Sequence, residues 1–427
     1  MLIKPSFLAN HDLLPLNQRP QSRWPMLNMY KTNNRLVTAM RVAIITENFL
    51  PKLDGVTRTL ARLLEHLQMS GHQALLLGPD SGMDQYAGAE LIGTAGLPFP
   101  FYPELKWNFF RPLFVRRLKE FCPDIIHLVD PVVLGAAGLA AASLLRKPVV
   151  SSYHTNLAAY CEHFGFALLA KPMWSYNRFI HNQCSLTFCP SPSTAAMLRE
   201  QEFHHLRIWP RGVDTTLFQP ERRSADLRAS WLKERGQADD KVVLLYVGRL
   251  SWEKNLRLLI QAYRGMDHQH CHLVVVGDGP ARLEMQQELA GLPTTFTGYL
   301  SGEALASAYS SSDIFAFPSD TETFGQVVLE AMASGLPVVG LLSEGVCDLV
   351  NHEQTGFLLD ARHLLAGEQA AGYRAHLARL VYDPQLRRTM SQSACKEAQQ
   401  RSWPEAMECL IQGYREVIKR AEVVLAA

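Results

Sequence analysis

The chain has 427 residues, of which 47% are hydrophobic and 19% are charged, and its formal net charge is +1. This length predicts two domains, and the near-neutral charge gives no reason to expect a nucleic-acid partner. The eight cysteines form no C-x-x-C pair, which argues against zinc and thioredoxin-like sites and predicts a reducing, cytoplasmic compartment.

Residues 1–40 are predicted to form a poorly ordered extension. They contain four prolines and no unbroken apolar stretch of the kind found in a signal peptide. No run in the chain reaches the ~18 apolar residues that a membrane span needs. Met40 directly precedes the first predicted strand, so the sequence leaves open whether Met1 or Met40 is the true start.

Residues 41–213 alternate short apolar runs with longer helical patterns. The first strand is predicted at Arg41–Thr46, and a helix follows over Thr57–Met69 with leucines on one face. Further strands are predicted at Ala74–Gly78, Ile125–Val129, Pro148–Ser152 and Ser185–Cys189. Continuous apolar strands that are separated by helices indicate a parallel sheet covered on both faces.

The same pattern begins again after a polar stretch from Asp214 to Asp240, and we place the linker at the start of that stretch. Residues 214–404 are therefore predicted to form the second domain, and a C-terminal helix at about residues 405–427 is expected to pack back on the first. Strands are predicted at Val242–Val247, His272–Gly277, Asp313–Phe317 and Leu336–Gly340. We expect two doubly wound α/β domains around a cleft, with ligands at the carboxyl ends of the strands.

The loop after the first strand of the second domain carries two cations. Arg249 follows the strand directly, and Lys254 lies just before a helix predicted from about Asn255. A guanidinium and an ammonium at one strand end suit a diphosphate, and the alternative is a solvated pair that bonds Glu253. We favour the diphosphate, because strand-end cations in α/β folds are usually placed for a ligand.

The most informative loop carries Glu322 and leads into a helix predicted to start near Phe324. The free amides of Phe324 and Gly325 can bind hydroxyl or phosphate oxygens. Glu330 lies ~9 Å further along the helix axis, and carboxylates accept well from the diols of a sugar or ribose. The alternative is that Glu330 is an ordinary exposed residue, but its apolar surroundings in the sequence make an unpaired carboxylate costly.

Glycines and a histidine occupy other strand ends. Gly55 and Gly277 each open a helix after a strand, where a glycine either lets a ligand approach the backbone or simply forms a turn. The second turn is not G-x-G-x-x-G, because Arg282 takes the place of the last glycine. His154 ends a strand at the expected cleft, so catalytic and structural roles are weighed evenly, whereas His127 is predicted to be a satisfied core histidine.

Together these segments resemble glycosyltransferase family 4, whose members are retaining enzymes of the GT-B fold. The resemblance covers residues 41 to about 420, and the E-x7-E spacing of Glu322 and Glu330 is a specific part of it. Tyr153-His-Thr155 and Gly212-Val-Asp214 are similar to the branch of sulfoquinovosyl diacylglycerol synthases and bacterial glycolipid mannosyltransferases. The first loop departs from the pattern by having a single glycine, and Arg211 stands where an asparagine is common.

The resemblance implies two Rossmann-like domains, the first for the acceptor and the second for the donor. The residues that it implies are catalytic are His154, Arg249, Lys254 and Glu322. The residues that it implies bind the donor are Gly55, Arg249, Lys254, Gly277, Glu322, Phe324, Gly325 and Glu330. The two cations would neutralise the departing diphosphate, the two glutamates would hold the hydroxyls of the sugar and the ribose, and His154 would face the sugar near the reacting carbon. No metal or other cofactor is expected.

The sequence therefore predicts a retaining hexosyltransferase that uses a nucleotide-diphosphate sugar and a lipid or glycolipid acceptor, with sulfoquinovose and mannose as the sugars suggested. A lipid acceptor requires contact with the membrane surface, so a peripheral location on the cytoplasmic face is expected. Phe109–Lys119 mixes apolar and basic residues as an interfacial helix does, and Phe164–Trp174 is a second candidate. The alternative for both segments is packing in the core.

Three other functions stay open. They are transfer to a soluble or polysaccharide acceptor, non-catalytic binding of a sugar nucleotide, and hydride transfer on a Rossmann fold. The last of these predicts a glycine fingerprint after the first strand, which is missing. A binding protein need not keep Arg249, Lys254 and His154 together. The donor sugar and base, the acceptor, the linkage position and the oligomeric state do not follow from the sequence.

Overall fold

The computed structural model describes residues 39–51, 55–99, 102–163, 166–233 and 241–426, so the predicted N-terminal extension lies almost wholly outside the described residues. The strands are β1 (Arg41–Thr46), β2 (Gln73–Pro79), β3 (Gln85–Tyr86), β4 (Ala89–Thr94), β5 (Gly96–Phe99), β6 (Tyr102–Asn108), β7 (Ile125–Val129), β8 (Val149–Ser152), β9 (Leu186–Cys189), β10 (Leu206–Ile208), β11 (Val242–Val247), β12 (Cys271–Val276), β13 (Thr294–Gly298), β14 (Ile314–Phe317), β15 (Val338–Leu341) and β16 (Gly356–Leu359).

The α-helices are α1 (Gly55–Met69), α2 (Pro112–Phe121), α3 (Val133–Leu144), α4 (Leu157–His163), α5 (Ala167–Asn182), α6 (Pro192–Glu200), α7 (Ala225–Lys233), α8 (Leu256–Arg264), α9 (Arg282–Glu288), α10 (Gly302–Ser310), α11 (Gln326–Ala333), α12 (Ala366–Tyr382), α13 (Pro384–Gln399) and α14 (Trp403–Ala426). Within the described residues, no helix is long and apolar enough to cross a bilayer.

The first lobe, residues 39–213 together with α14, is built on an eight-stranded sheet. Its strand order is β10-β9-β8-β7-β1-β2-β4-β3, and every pair is parallel except β3 with β4. Apolar side chains of α1 and α14 cover one face, and those of α2 and α3 cover the other. The prediction of a parallel sheet buried on both faces is confirmed for this lobe.

The second lobe, residues 214–402, is built on six parallel strands in the order β13-β12-β11-β14-β15-β16. Helices α10, α11 and α13 contribute to the core on one face, and α8, α9 and α12 contribute to the core on the other. Most of the polar stretch that follows Asp214 belongs to this lobe, since Trp231 and Leu232 of α7 are buried in its core. The predicted doubly wound architecture is confirmed.

Each sheet changes its winding direction beside its first strand. In the first lobe β1 lies between β2 and β7, and in the second lobe β11 lies between β12 and β14. The helices after these strands go to opposite faces, so a crevice opens at the carboxyl ends of the strands at this point. The loops that carry Lys254 and Glu322 follow β11 and β14, and the architecture therefore places them side by side.

The chain passes from the first lobe to the second after Val213 and returns after Ser402, and these two segments lie side by side at one crossing. Val213 forms a β-bridge with Ser402, and the Val213 N–H donates to the carbonyl of Arg401 at 2.9 Å. Gly212 lies so close to the other segment that a Cβ would be 2.2 Å from the backbone nitrogen of Trp403. Beyond the crossing, α14 packs on the sheet of the first lobe through Met407, Leu410, Ile411, Tyr414 and Val417.

Replacement of Leu410 by alanine is predicted to destabilise the first lobe. Leu410 is fully buried between α14 and the sheet, so the Leu410→Ala variant loses about 2–5 kcal/mol of unfolding free energy, measured by urea titration followed by circular dichroism. Val423→Ala, on an exposed position of the same helix, is the control and changes it by less than about 0.5 kcal/mol. Equal effects of the two variants would show that α14 is not part of this core.

Candidate active site between the lobes

The loop after β11 is fixed by its neighbour, the loop after β12. Gly248 N–H donates to Val276 and Leu250 N–H donates to Asp278, at 3.1 and 2.9 Å. Gly277 has φ +137°, and a Cβ there would lie 1.9 Å from the carbonyl oxygen of Gly248. Close contact between the two loops therefore requires glycine at position 277, whether or not a donor binds beside it.

Lys254 and Glu322 are brought together by these loops. Lys254 Nζ lies 2.7 Å from Glu322 Oε1, and the two side chains are 18% and 22% exposed. Ser319 Oγ donates to the same carboxylate oxygen at 3.2 Å, and Thr321 Oγ1 donates to the carbonyl of Glu253 at 3.3 Å. A cation from the β11 loop and a carboxylate from the β14 loop thus meet at the crevice, and their predicted roles toward a donor stay predictions.

Arg249 lies at the start of the same β11 loop, directly after Gly248. Its side chain is half-buried, and its carbonyl accepts from the hydroxyl of Tyr246 at 3.0 Å. This bond fixes the backbone of Arg249 at the end of the strand. The loop then turns through a short 3₁₀ helix, Trp252–Lys254, which sets the spacing between the two cations.

Gly325 begins the next element of the site. It has φ +87° and forms the N-cap of α11, so the helix starts at Gln326, two residues later than the sequence predicts. The positive φ is unfavourable for other residues and turns the chain sharply at this point. Phe324 is buried, and Gly345 packs against it so closely that a Cβ at position 345 would lie 2.6 Å from the Phe324 nitrogen.

Glu330 is buried inside α11, which rules out the alternative that it is an ordinary exposed residue. Tyr309 Oη donates to its Oε2 at 3.2 Å, and a guanidinium nitrogen of Arg58, on α1 of the first lobe, lies 3.6 Å from its Oε1. Burial raises the pKa of Glu330 to about 7, while Arg58 and the Tyr309 hydroxyl act in the opposite direction. The second glutamate of the motif thus contacts both lobes.

Gly55, the first residue of α1, is exposed, and a Cβ on it would meet no heavy atom within 4 Å among the described residues. Packing therefore gives no reason for glycine here, in contrast to Gly277. The preceding residues 52–54 lie outside the described residues. Backbone approach by a donor phosphate stays a prediction for Gly55.

The imidazole of His154 belongs to a chain of buried hydrogen bonds. Its Nε2 lies 2.8 Å from Ser152 Oγ, and its Nδ1 lies 3.1 Å from a guanidinium nitrogen of Arg211. The guanidinium can only donate, so Nδ1 accepts and Nε2 carries the proton. Ser152 Oγ also lies 2.8 Å from His127 Nε2, and His127 Nδ1 lies 2.6 Å from Tyr414 Oη.

This network confirms that His127 is a satisfied core histidine, and burial lowers the pKa of His127 to about 3. For His154 the structure differs from the expectation that the imidazole faces the sugar. Both ring nitrogens bond groups of the first lobe, and burial together with Arg211 holds the pKa of His154 well below its ordinary value. The part of His154 that reaches the second lobe is its carbonyl, which accepts from Thr323 Oγ1 at 2.7 Å.

Arg211, the departure from the family pattern, fixes the proton position on His154. It is buried, donates to the carbonyl of Trp209 at 2.7 Å, and lies over the Trp209 ring at 4.4 Å. Within the described part of the chain its hydrogen-bond acceptors are neutral, and burial lowers the pKa of Arg211 to about 9. An asparagine at this position would be too short to make the same set of contacts.

A polar cluster between the lobes was missed at the sequence level. Thr194 Oγ1 lies 2.6 Å from Glu344 Oε1, and Ser193 N–H donates to Asp348 Oδ2 at 3.1 Å. Burial raises the pKa of Glu344, while the Thr194 hydroxyl acts to lower it. Both acids follow β15, so a search of every strand end for carboxylates would have found them.

Glu47, directly after β1, was also missed. Its Oε1 accepts from Val132 N–H at 3.1 Å and from Gly135 N–H at 3.2 Å, at the start of α3. Burial raises the pKa of Glu47 to about 6, against these backbone bonds. Its place directly after the first predicted strand was the available signal in the sequence.

Two doubly wound lobes with a crevice at the carboxyl ends of their strands form the GT-B fold. A HepE protein of Anabaena, solved with UDP and glucose, has this fold, with a TM-score of 0.68 at 20% identity over 88% of this chain and 100% of that one. The model for glycosyl transferases group 1 matches residues 228–397, and the model for Glycosyltransferase Family 4 matches residues 53–217.

Three curated relatives extend this match over most of the chain. A GDP-mannose-dependent alpha-mannosyltransferase of Corynebacterium glutamicum is 35% identical, over 90% of each chain. The sulfoquinovosyl transferase SQD2 of Arabidopsis thaliana is 32% identical, over 86% of this chain and 71% of that one. An alpha-monoglucosyldiacylglycerol synthase of Streptococcus pneumoniae is 27% identical, over 77% of each. The chain belongs to glycosyltransferase family 4 and is a hexosyltransferase.

The pH dependence of stability tests the burial of Glu330. In the native state its pKa is about 7, against 4.5 ordinarily, so the native protein binds more protons than the unfolded chain between these values. Unfolding free energy therefore falls as pH rises through this window. Glu330→Gln removes this loss, so the stability of the variant relative to wild type, measured by urea titration, increases from pH 4.5 to pH 7.

The exposed Glu303→Gln, also in the second lobe, serves as the control and leaves the pH dependence of wild type unchanged. A constant difference between Glu330→Gln and wild type across the window would show that Glu330 is ionised throughout, held so by Arg58.

Proposed function

We propose that the protein transfers a hexosyl group, with retention of anomeric configuration, from a nucleotide-diphosphate sugar to a hydroxyl of a lipid or glycolipid. The observation that carries this proposal is the contact of Lys254 with Glu322 at the carboxyl ends of β11 and β14, five residues after Arg249. The loop after β11 thus supplies Arg249 and Lys254 as cations for a diphosphate. The loop after β14 supplies Glu322 as a carboxylate for sugar hydroxyls in the same crevice.

In this proposal the second lobe holds the donor. Arg249 and Lys254 stabilise the charge that develops on the diphosphate as the glycosidic bond breaks. Glu322 and the amides of Phe324 and Gly325 hold the sugar hydroxyls. Glu330 accepts from the ribose hydroxyls through the acceptor sites that Arg58 and Tyr309 leave on its carboxylate.

Retention is assigned to attack on the same face from which the diphosphate leaves. A double displacement needs a carboxylate nucleophile and a second carboxyl ~5 Å away. Glu322 is bonded to Lys254, and Glu330 lies beside Arg58 and Tyr309, so both carboxylates are assigned to binding. The acceptor proton then passes to an oxygen of the leaving diphosphate, whose negative charge is balanced by the two cations without a metal ion.

A lipid acceptor is supported by the relative named alpha-monoglucosyldiacylglycerol synthase and by the resemblance to sulfoquinovosyl diacylglycerol synthases. The named donors of the relatives differ, since one is GDP-mannose-dependent and another is a sulfoquinovosyl transferase. The proposal therefore leaves the sugar to experiment. A lipid acceptor implies a peripheral place on the membrane surface, which we propose is the cytoplasmic face.

Loss of either donor-site cation is predicted to slow turnover. Arg249→Ala lowers kcat by about 10²–10³-fold while the fold persists, because charge on the leaving diphosphate loses a partner. Release of nucleotide in the presence of acceptor gives the rate. Arg257→Ala is the matched control: this arginine lies over the Trp252 ring at 4.4 Å but is exposed, and its loss changes kcat by less than about twofold. Wild-type turnover by Arg249→Ala would remove the assignment.

A donor panel separates the candidate functions. UDP-sulfoquinovose, GDP-mannose and UDP-glucose are each offered with diacylglycerol, a glycolipid and a soluble oligosaccharide. We expect one donor to be consumed with a lipid acceptor, in the presence of EDTA, and the product to keep the α configuration by NMR. Transfer only to the oligosaccharide supports the alternative acceptor, donor binding without turnover supports a binding protein, and inverted product contradicts the mechanism.

A further inference from the structure

Helix α5 presents an apolar stripe to solvent. Leu168, Pro172, Tyr176 and Phe179 recur at intervals of four, four and three residues, which places them on one side of the helix. All four are exposed, with Leu168 at 93% and Phe179 at 62%. A surface helix of a globular protein normally turns its apolar stripe toward the core. In α5 the apolar stripe faces the solvent instead.

Helix α3 continues this apolar surface. Val133–Leu144 contains no charged residue, and its exposed positions include Val133 and Leu144. The two helices lie side by side and run in the same direction, since the Tyr176 hydroxyl donates to the carbonyl of Val132 at one end. Further along, Phe179 and Gln183 line a cavity of about 380 Å³ with residues of α3, namely Ala136, Leu139, Ala140 and Ser143.

The charges on these helices are of one sign. Lys171 on α5 is exposed, and Arg146 and Lys147 follow α3 at the far end of the cavity. Neither Val133–Leu144 nor Ala167–Asn182 contains an acidic residue. A surface that combines large exposed apolar side chains with cations matches an anionic bilayer. A second copy of the same surface would instead bring like charges together, which disfavours a symmetric dimer through this face.

The other predicted membrane segment behaves differently. In α2, Phe114 and Leu118 are buried in the core of the first lobe. Arg117 pairs with Glu90 and Glu120, so its charge is balanced within the protein. The core-packing alternative therefore holds for most of Phe109–Lys119, and the apolar surface lies further along the chain than that segment.

We propose that the α3–α5 face, formed by Val133–Leu144 and Ala167–Asn182 with the cations Arg146, Lys147 and Lys171, docks on an anionic bilayer. This inference rests on the proposed lipid acceptor. Helix α3 begins at the carboxyl end of β7, beside the crevice, and ends ~18 Å away. Docking along its length keeps the mouth of the crevice at the level of the lipid headgroups, where an acceptor hydroxyl lies.

Vesicle co-sedimentation tests the face directly. The full chain is mixed with vesicles of phosphatidylcholine containing phosphatidylglycerol, or of phosphatidylcholine alone. The double variant Leu168→Glu/Phe179→Glu is expected to bind the anionic vesicles at least about tenfold more weakly than wild type. Arg146→Glu/Lys171→Glu is expected to lose a similar factor on anionic vesicles only. Leu283→Glu, on α9 of the second lobe and 73% exposed, is the matched control and binds as wild type does.

Activity separates this inference from the proposed function. The docking variants should transfer sugar to a dispersed short-chain diacylglycerol at the wild-type rate, which also shows that they are folded, while transfer to diacylglycerol in anionic vesicles falls about tenfold. Undiminished vesicle binding by Leu168→Glu/Phe179→Glu overturns the docking face. A wild-type dimer that this variant dissociates also overturns it. Vesicle binding that depends on these residues, without transfer to any lipid, leaves the face in place and removes the lipid acceptor instead.

Discussion

Two neighbouring parallel strands can be connected only by a segment that crosses over one face of the sheet. The position of the active-site loops in this enzyme depends on that constraint. The connections that carry chemistry must all emerge at the carboxyl edge of a sheet, and the reversal of winding beside β1 and β11 opens room there. The contact between Lys254 and Glu322 follows directly, because β11 and β14 are neighbours in the sheet although residues 248–313 lie between them along the chain. Glu47, on the first lobe, occupies the equivalent place after β1.

The buried polar chain from Arg211 through His154 and Ser152 to His127 holds the loop after β8 of the first lobe in place. Every ring nitrogen in it has a hydrogen-bond partner, and the Arg211 guanidinium, which can only donate, fixes the neutral tautomer of His154. The loop that follows β8 is consequently held by side chains from β7, from the interlobe crossing and from α14. The carbonyl of His154, in this loop, is thereby positioned to accept a hydrogen bond from Thr323 Oγ1 of the second lobe.

Apolar periodicity located the central strands because they are buried on both faces, and β1, β7 and β11 were predicted to the residue. The strands that were missed, such as β10, β13 and β16, lie at sheet edges, where solvent on one side permits polar residues and weakens the pattern. The cations and glutamates of the second lobe could be predicted because they follow central strands. The direction of the His154 ring could not, since it depends on Arg211, 57 residues away in sequence.

The first lobe is synthesised before the second, but its core is complete only when α14 has been made and packs back on it. The part of the first sheet that α14 covers stays exposed until residues 403–426 have been made, which is after the whole second lobe. The nascent first lobe therefore carries exposed apolar side chains while the second half of the chain is synthesised, whereas the second lobe can close on its own residues. Exposure of apolar surface during biosynthesis is thus longer for the half of the chain that is made first.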